Sequence, residues 1–184
     1  MKTLNDYAPA IRQQLARVKL VLMDVDGVLT NGLIYLSDEG VETKAFSTRD
    51  GLAIVWFRRY GLRTGVISGR HSKGTEQRCR DLQIDEVHLG ATHKAPVLEE
   101  IMGRLGLRGE EIAFVGDDLL DLPVMQRVGV SAAPCDAHAE VLSRVDIVLD
   151  CPGGKGAVRH FLDLWLMATG KLNTAIEDIL HDQF

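Results

Sequence analysis

Apolar residues along the chain fall into short runs, separated by polar turns and by segments with helical spacing. Near the start, Tyr7, Ile11, Leu15 and Val18 recur at helical spacing and predict an amphipathic helix. The run Lys19-Leu20-Val21-Leu22-Met23-Asp24 follows, apolar on both faces, as expected of a buried central strand. Further strands are predicted at 62–68, 86–90, 112–117, 130–133 and 146–149. Between them the spacing predicts helices at 51–60, 72–82, 94–105, 119–128 and 137–144, with a longer one at 156–169. Strands alternating with helices imply an α/β fold, a parallel sheet with helices on both faces. One stretch breaks the alternation. Residues 33–37 and 41–47 flank Asp38-Glu39-Gly40 and read as a β-hairpin directly after the first strand.

Composition narrows the class. Hydrophobic residues make up 46% and charged residues 26%, enough apolar surface for a core, so disorder is excluded and one domain over 1–184 is expected. Aromatics are only 5%, which leaves the core to Val, Leu, Ile and Ala. The net charge of −5 argues against nucleic acid as a partner, because such binding needs a basic face. No apolar run approaches the roughly 18 residues of a membrane span, so no membrane partner is expected. The three cysteines, Cys79, Cys135 and Cys151, form no CxxC and read as reduced thiols of a cytoplasmic protein. The segment before Lys19 carries Asp6 and lacks the apolar core of a secretory signal.

Ligands on open parallel sheets bind at the carboxyl ends of the strands, so the chemistry is sought there. The first strand ends Asp24-Val25-Asp26-Gly27-Val28-Leu29-Thr30. Two carboxylates there can divide nucleophile and proton transfer; a solvated acidic turn is the structural alternative. The next strand ends Ser68-Gly69-Arg70, a hydroxyl and a guanidinium suited to an anion, or else an ordinary N-cap Ser with a surface Arg. Lys94 opens a helix, where a cation opposes the macrodipole unless an anion compensates. Gly116-Asp117-Asp118-Leu119-Leu120-Asp121 brings three carboxylates to the fourth strand end, a donor set for a hard divalent cation such as Mg²⁺. Asp121 also fits as a first-turn helix residue. The six histidines lack metal-ligand spacing, and Gly153-Gly154-Lys155-Gly156 lacks the GxxxxGK[ST] spacing of a P-loop, so it reads as a loop before a helix.

The order DxDGxxT, Ser, Lys, GDDxxD resembles the haloacid dehalogenase (HAD) superfamily of aspartate-nucleophile phosphatases. The resemblance implies a HAD-like Rossmannoid sheet with Asp24 as nucleophile and Asp26 as acid and base. It also implies Ser68 and Lys94 on the phosphoryl oxygens, and Mg²⁺ held by Asp24, the Asp26 backbone carbonyl and Asp117. Asp118 and Asp121 stay unranked beside the metal, and Thr30 orders the first loop. Too little chain separates the motifs for a large inserted domain, so a capless (C0) member with a hairpin flap is expected.

A narrower resemblance rests on Asp-Val-Asp-Gly-Val-Leu-Thr-Asn-Gly, on Phe46-Ser47-Thr48-Arg49-Asp50-Gly51, on Ile67-Ser68-Gly69-Arg70 and on the late Gly153–Arg159 and Gly170-Lys171-Leu172 segments. It is similar to the 3-deoxy-D-manno-octulosonate 8-phosphate phosphatases, which serve lipopolysaccharide precursor biosynthesis. This implies a phosphorylated eight-carbon keto sugar acid as substrate, met by Asp26, Ser47, Thr48, Arg49, Asp50, Gly51, Gly69, Arg70, Arg78 and Lys94. It also implies a homotetramer whose hairpins form a barrel, with a C-terminal tail (171–184) able to reach a neighbouring site. Val55 stands where that family often carries Arg, which keeps a nine-carbon sugar acid phosphate open. A broad-specificity phosphatase is a further alternative. A phospho-acceptor signalling domain would need its accepting Asp at a middle strand that here ends in Ser68.

Overall fold

The computed structural model describes residues 2–181. Six strands form one parallel sheet: β1 (Leu20–Met23), β4 (Arg63–Ser68), β5 (Glu86–Leu89), β6 (Ile112–Val115), β7 (Val130–Ala133) and β8 (Ile147–Val148). The order is β5-β4-β1-β6-β7-β8, with Met23 opposite Val66 on one side and Val115 on the other. The chain runs from β1 outward to β5, then returns across the sheet to β6. That reversal opens a crevice at the carboxyl ends of β4, β1 and β6.

The two central strands, β1 and β6, are apolar throughout because each feeds two cores. Val21 and Met23 of β1 join the layer of α1 (Pro9–Arg17), α2 (Thr48–Phe57) and α7 (Ala157–Ala168), where Phe57 and Phe161 are fully buried. Leu20 and Leu22 face the opposite layer, with Leu98 and Ile101 of α4 (Lys94–Leu105) and Val124 of α5 (Leu122–Met125). The remaining helices are α3 (Lys73–Asp81), α6 (Ala139–Leu142) and α8 (Leu172–Leu180). Among the described residues no cap domain interrupts this architecture, and no helix is long and apolar enough to cross a membrane. The expected capless α/β sheet is the fold that forms.

Several elements differ from their expected bounds. The helix predicted at 51–60 starts at Thr48, because the Ser47 hydroxyl accepts from the Asp50 N–H at 3.3 Å and caps it. It ends in a 3-10 turn at Arg58–Tyr60. Helix 119–128 shrinks to a 3-10 turn (Leu119–Asp121) plus α5, and helix 137–144 to α6. Within 33–47 only β2 (Tyr35–Leu36) and β3 (Glu42–Thr43) pair, antiparallel, around a turn with Gly40.

Within 171–184, residues Leu172–Leu180 form α8 and pack against their own chain. Ala175 is buried in the α7 layer, the Tyr60 hydroxyl donates to Asp178, and the Lys171 ammonium donates to the Tyr60 carbonyl. Residues 182–184 of that tail lie outside the described residues. Phe161 fills the space between α7 and the sheet, so Phe161→Ala is expected to cost about 3–5 kcal/mol in urea unfolding. A loss below about 1 kcal/mol would contradict this core assignment.

Candidate active site

The first loop winds around one carbonyl. The N–H groups of Val28, Leu29 and Thr30 all lie within 3.3 Å of the Val25 oxygen, and the Thr30 hydroxyl also donates to it. Asp24, just past β1, is tied to β6 by its N–H on the Val115 carbonyl at 2.9 Å. Gly27 has φ +94°, and a Cβ there would lie 2.0 Å from Asp117 Oδ2. A glycine is therefore required where the first loop meets the fourth strand end. Behind it, a Cβ on Gly153 would lie 1.9 Å from the Gly27 carbonyl, and the Gly154 N–H donates to Val28 O at 2.9 Å. The late glycine segment is thus a buttress of the first loop.

Lys94 sits at the first position of α4, and its buried ammonium reaches Asp24 Oδ1 at 2.8 Å and Asp121 Oδ1 at 2.6 Å. Burial pulls the Lys94 pKa down, but the two carboxylates outweigh it and hold it above the usual lysine value. Asp121 resolves both of its sequence readings at once. Its Oδ1 pairs with Lys94, while its Oδ2 accepts from the N–H groups of Asp117 and Asp118 at 2.9 and 3.2 Å. Asp118, at the edge of the cleft, accepts from the Leu119 N–H through its Oδ1.

Asp24, Asp117 and Asp121 each place an oxygen within 4.8 Å of the others. Burial pushes the Asp24 carboxyl up to about 6, Lys94 opposing. Asp117 rises to about 8, first from burial and then from repulsion by Asp24, Asp121 and Asp118. Its Oδ1 is buried without a hydrogen-bond partner. None of the described hydrogen bonds ends on the Asp26 carbonyl. An orphaned carboxylate oxygen, crowded by like charge in an all-oxygen site, fits a hard divalent cation.

Asp24, Asp26, Ser68, Gly69, Arg70, Lys94 and Asp117 line one cleft of about 200 Å³ at the crevice of the sheet. Asp118 and Asp121 line it too, together with Thr92 and Leu120, two residues the strand-end motifs do not mark. A larger hollow of about 560 Å³ lies elsewhere, lined by Lys19, Glu111 and Trp165, and holds no carboxylate cluster.

The expected substrate residues at 47–51 lie apart from this cleft. They are the cap and first turn of α2, not a loop, and Thr48 and Arg49 line a separate groove with Gly154 and Lys155. Asp50 points inward, 1% exposed, and accepts from the N–H groups of Gly156 (3.1 Å) and Arg159 (2.7 Å). That is a correction for Asp50, whose carboxylate is spent on holding α7 to α2. Arg78 donates to the Ser47 carbonyl at 3.4 Å, and Gly51 clears space for it, since a Cβ would lie 2.2 Å from Arg78 Nη2.

The structure adds two residues that the motifs missed, both from the hairpin. Lys44, its side chain only 2% exposed, donates to Asp26 Oδ1 and Oδ2 at 2.5 and 2.8 Å. Glu42 meets the Arg70 guanidinium at 2.7 Å. Their spacing of two puts them on one face of an extended segment, and nothing in it says which carboxylate or guanidinium they meet.

The fold and the carboxylate cluster place the chain in one class: it belongs to the haloacid dehalogenase-like hydrolases, whose sequence profile matches residues 83–162. It is 40% identical to the 3-deoxy-D-manno-octulosonate 8-phosphate phosphatase of Salmonella typhimurium, over 91% of this chain and 89% of that one. The crystal structure of the Yersinia pestis phosphatase of that name superposes with a TM-score of 0.88 at 39% identity, covering 90% of each chain. The Moraxella catarrhalis phosphatase, solved with magnesium, phosphate and 3-deoxy-D-manno-octulosonate (KDO), gives 0.90 at 32% identity, covering 92% of this chain and 97% of that one. Within its class, the chain belongs to the 3-deoxy-D-manno-octulosonate 8-phosphate phosphatase family.

The raised Asp117 carboxyl makes cation binding pH-dependent. Its folded value, about 8, lies far above the ordinary aspartate value of 3.8, so without a cation the folded state holds this proton more tightly than the unfolded chain. That stabilising contribution is complete below about pH 4 and is lost as pH rises through about 8. Mg²⁺ should therefore raise the melting temperature of chelator-treated protein more at about pH 8 than at about pH 5, with Asp117→Asn reducing the difference and leaving the share due to Asp24. Equal shifts at both pH values in a thermal melt would refute the assignment of Asp117 to the cation.

Proposed function

We propose that this chain hydrolyses 3-deoxy-D-manno-octulosonate 8-phosphate to the free sugar acid and inorganic phosphate, in lipopolysaccharide precursor biosynthesis in the cytoplasm. One observation carries the reading: Asp24, held at 2.8 Å by Lys94, opens onto a cleft shared with Asp26, Ser68 and Asp117, in a chain 40% identical to such a phosphatase.

Asp24 attacks phosphorus through a carboxylate oxygen, and the bond to the sugar oxygen breaks, leaving an aspartyl-phosphate. Asp26 gives its proton to the departing sugar oxygen, then takes one from the water that attacks the aspartyl-phosphate and restores Asp24. Lys94 and Ser68, both buried at the cleft wall, hold the phosphoryl oxygens. Asp24, Asp117 and the Asp26 carbonyl would hold Mg²⁺. A bound Mg²⁺ supplies the charge that offsets repulsion between the anionic nucleophile and the anionic ester. Arg70 takes the carboxylate of the sugar acid, with Gly69 allowing close approach. Arg78 and the Ser47, Thr48, Arg49 and Gly51 turn serve the far end of the sugar.

The hairpin supports a second part of the reading, a homotetramer with the hairpins as its seam and as flaps over the sites. Leu33, Ile34, Tyr35, Leu36 and Val41 are all exposed there, a contiguous apolar patch that a lone chain would leave in water. Light scattering is expected to give four times the 20.3 kDa of one chain; a single-chain mass at micromolar concentration would contradict the tetramer.

A phosphate-release screen tests the chemistry. The eight-carbon keto sugar acid phosphate is expected to be preferred over its nine-carbon relative and over neutral hexose phosphates. Asp24→Asn, correctly folded, is expected to lose about 10³-fold or more in turnover. A preference for neutral hexose phosphates would overturn the substrate and spare the reaction type, whereas normal turnover by Asp24→Asn would overturn the nucleophile.

A further inference from the structure

Four charged side chains close into a ring of alternating sign at the mouth of the cleft. Asp26 meets Lys44 at 2.5 Å, Lys44 meets Glu42 at 3.6 Å, Glu42 meets Arg70 at 2.7 Å, and Arg70 returns to Asp26 at 3.6 Å. Two members come from the hairpin, one from the loop after β1 and one from the loop after β4. The contacts are unequal. Lys44 grips Asp26 through both carboxylate oxygens, whereas Glu42 uses one oxygen on Arg70 and leaves its Oε1 buried without a hydrogen bond. A half-satisfied carboxylate gives up its partner at less cost than a bidentate one. Its carrier is also slight, since the hairpin pairs only Tyr35 with Thr43 and Leu36 with Glu42.

Glu42 offers Arg70 the same chemical group that a sugar acid brings. We propose that Glu42 is an internal competitor for the Arg70 guanidinium: it occupies Arg70 in the empty site, yields to the carboxylate of the incoming sugar acid phosphate, and returns to displace the carboxylate of the sugar acid product. This rests on the assignment of Arg70 to the substrate carboxylate. The exchange makes and breaks only ion pairs, one carboxylate for another, so no net charge is buried by it. Its consequence is weaker retention of sugar acids, product included, without any change at the phosphate end of the cleft, where Lys94 and Ser68 stand.

The test is inhibition of phosphate release by the free eight-carbon sugar acid and, separately, by inorganic phosphate, in the wild type, Glu42→Gln and Arg70→Met. Glu42→Gln keeps the size of the side chain and removes the competing charge. The inhibition constant of the free sugar acid and the KM of its phosphate are expected to fall about tenfold, the scale of one charge-assisted hydrogen bond. The constant for inorganic phosphate should stay within about twofold, because phosphate does not use Arg70. An unchanged or raised sugar-acid constant in Glu42→Gln overturns the proposal, since Glu42 is then idle or serves to orient Arg70. An equal fall for inorganic phosphate also overturns it, because the effect is then a general loss of negative potential. Arg70→Met should raise the sugar-acid constant. If it does and Glu42→Gln fails, only the competitor role falls; if Arg70→Met changes nothing, the carboxylate assignment falls with it.

Discussion

Lys94 brings a full positive charge into the interior, 2.8 Å from Asp24 and 2.6 Å from Asp121, and the arrangement of the strand ends depends on it. Three carboxylates, Asp24, Asp117 and Asp121, crowd within a few ångströms at the ends of β1 and β6. Without a buried cation their repulsion and desolvation would drive them apart or force them to take up protons. The single ammonium is shared by Asp24 and Asp121, and Asp121 also accepts from the N–H groups of Asp117 and Asp118. Removing one partner of such a buried pair costs about 3–5 kcal/mol, because the other charge is left in low dielectric. The helix dipole makes the position of Lys94 costly, and Asp24 and Asp121 offset that cost.

Lys94 leaves Asp117 uncompensated. Its Oδ1 has no partner and its carboxyl is pushed up to about 8, so the site keeps an excess of negative charge that attracts a cation. Around this charge balance the backbone is held by close packing. Gly27, Gly153 and Gly154 let the first loop, the Asp117 side chain and the segment before α7 approach within distances that any Cβ would forbid. Asp50 fastens the same segment to α2 through two backbone N–H groups. The clustered carboxylates therefore sit on strand ends held by close packing.

The fold was legible in the sequence because each central strand must be apolar on both faces and each helix on one, and those periodicities survive in any tertiary context. Asp24, Asp26, Ser68, Gly69, Arg70, Lys94 and Asp117 were marked by a further rule, that open parallel sheets expose their strand ends on one side. The start of the helix at Thr48 was missed because its capping signal lies inside the segment read for substrate binding. Ser47 and Asp50 are three apart, the spacing of an N-cap, and the helix that they start carries Asp50 inward. Lys44 and Glu42 left no local mark at all. Their partners lie 18 and 28 residues away, and which face of a two-residue hairpin strand meets the cleft is set by how the hairpin folds over the sheet.

By itself, then, the sequence determined the order of elements, the parallel sheet and the kinds of chemical group at each strand end. All of these depend on local periodicity and on the direction of the chain. Only the tertiary structure decided which charges meet. It set Lys94 between Asp24 and Asp121, left Asp117 without a partner, turned Asp50 away from the cleft and laid Lys44 and Glu42 across it. Those pairings are matters of distance between segments remote in the chain, and electrostatic energy in a low-dielectric interior depends on distance and burial, which no spacing along the sequence encodes.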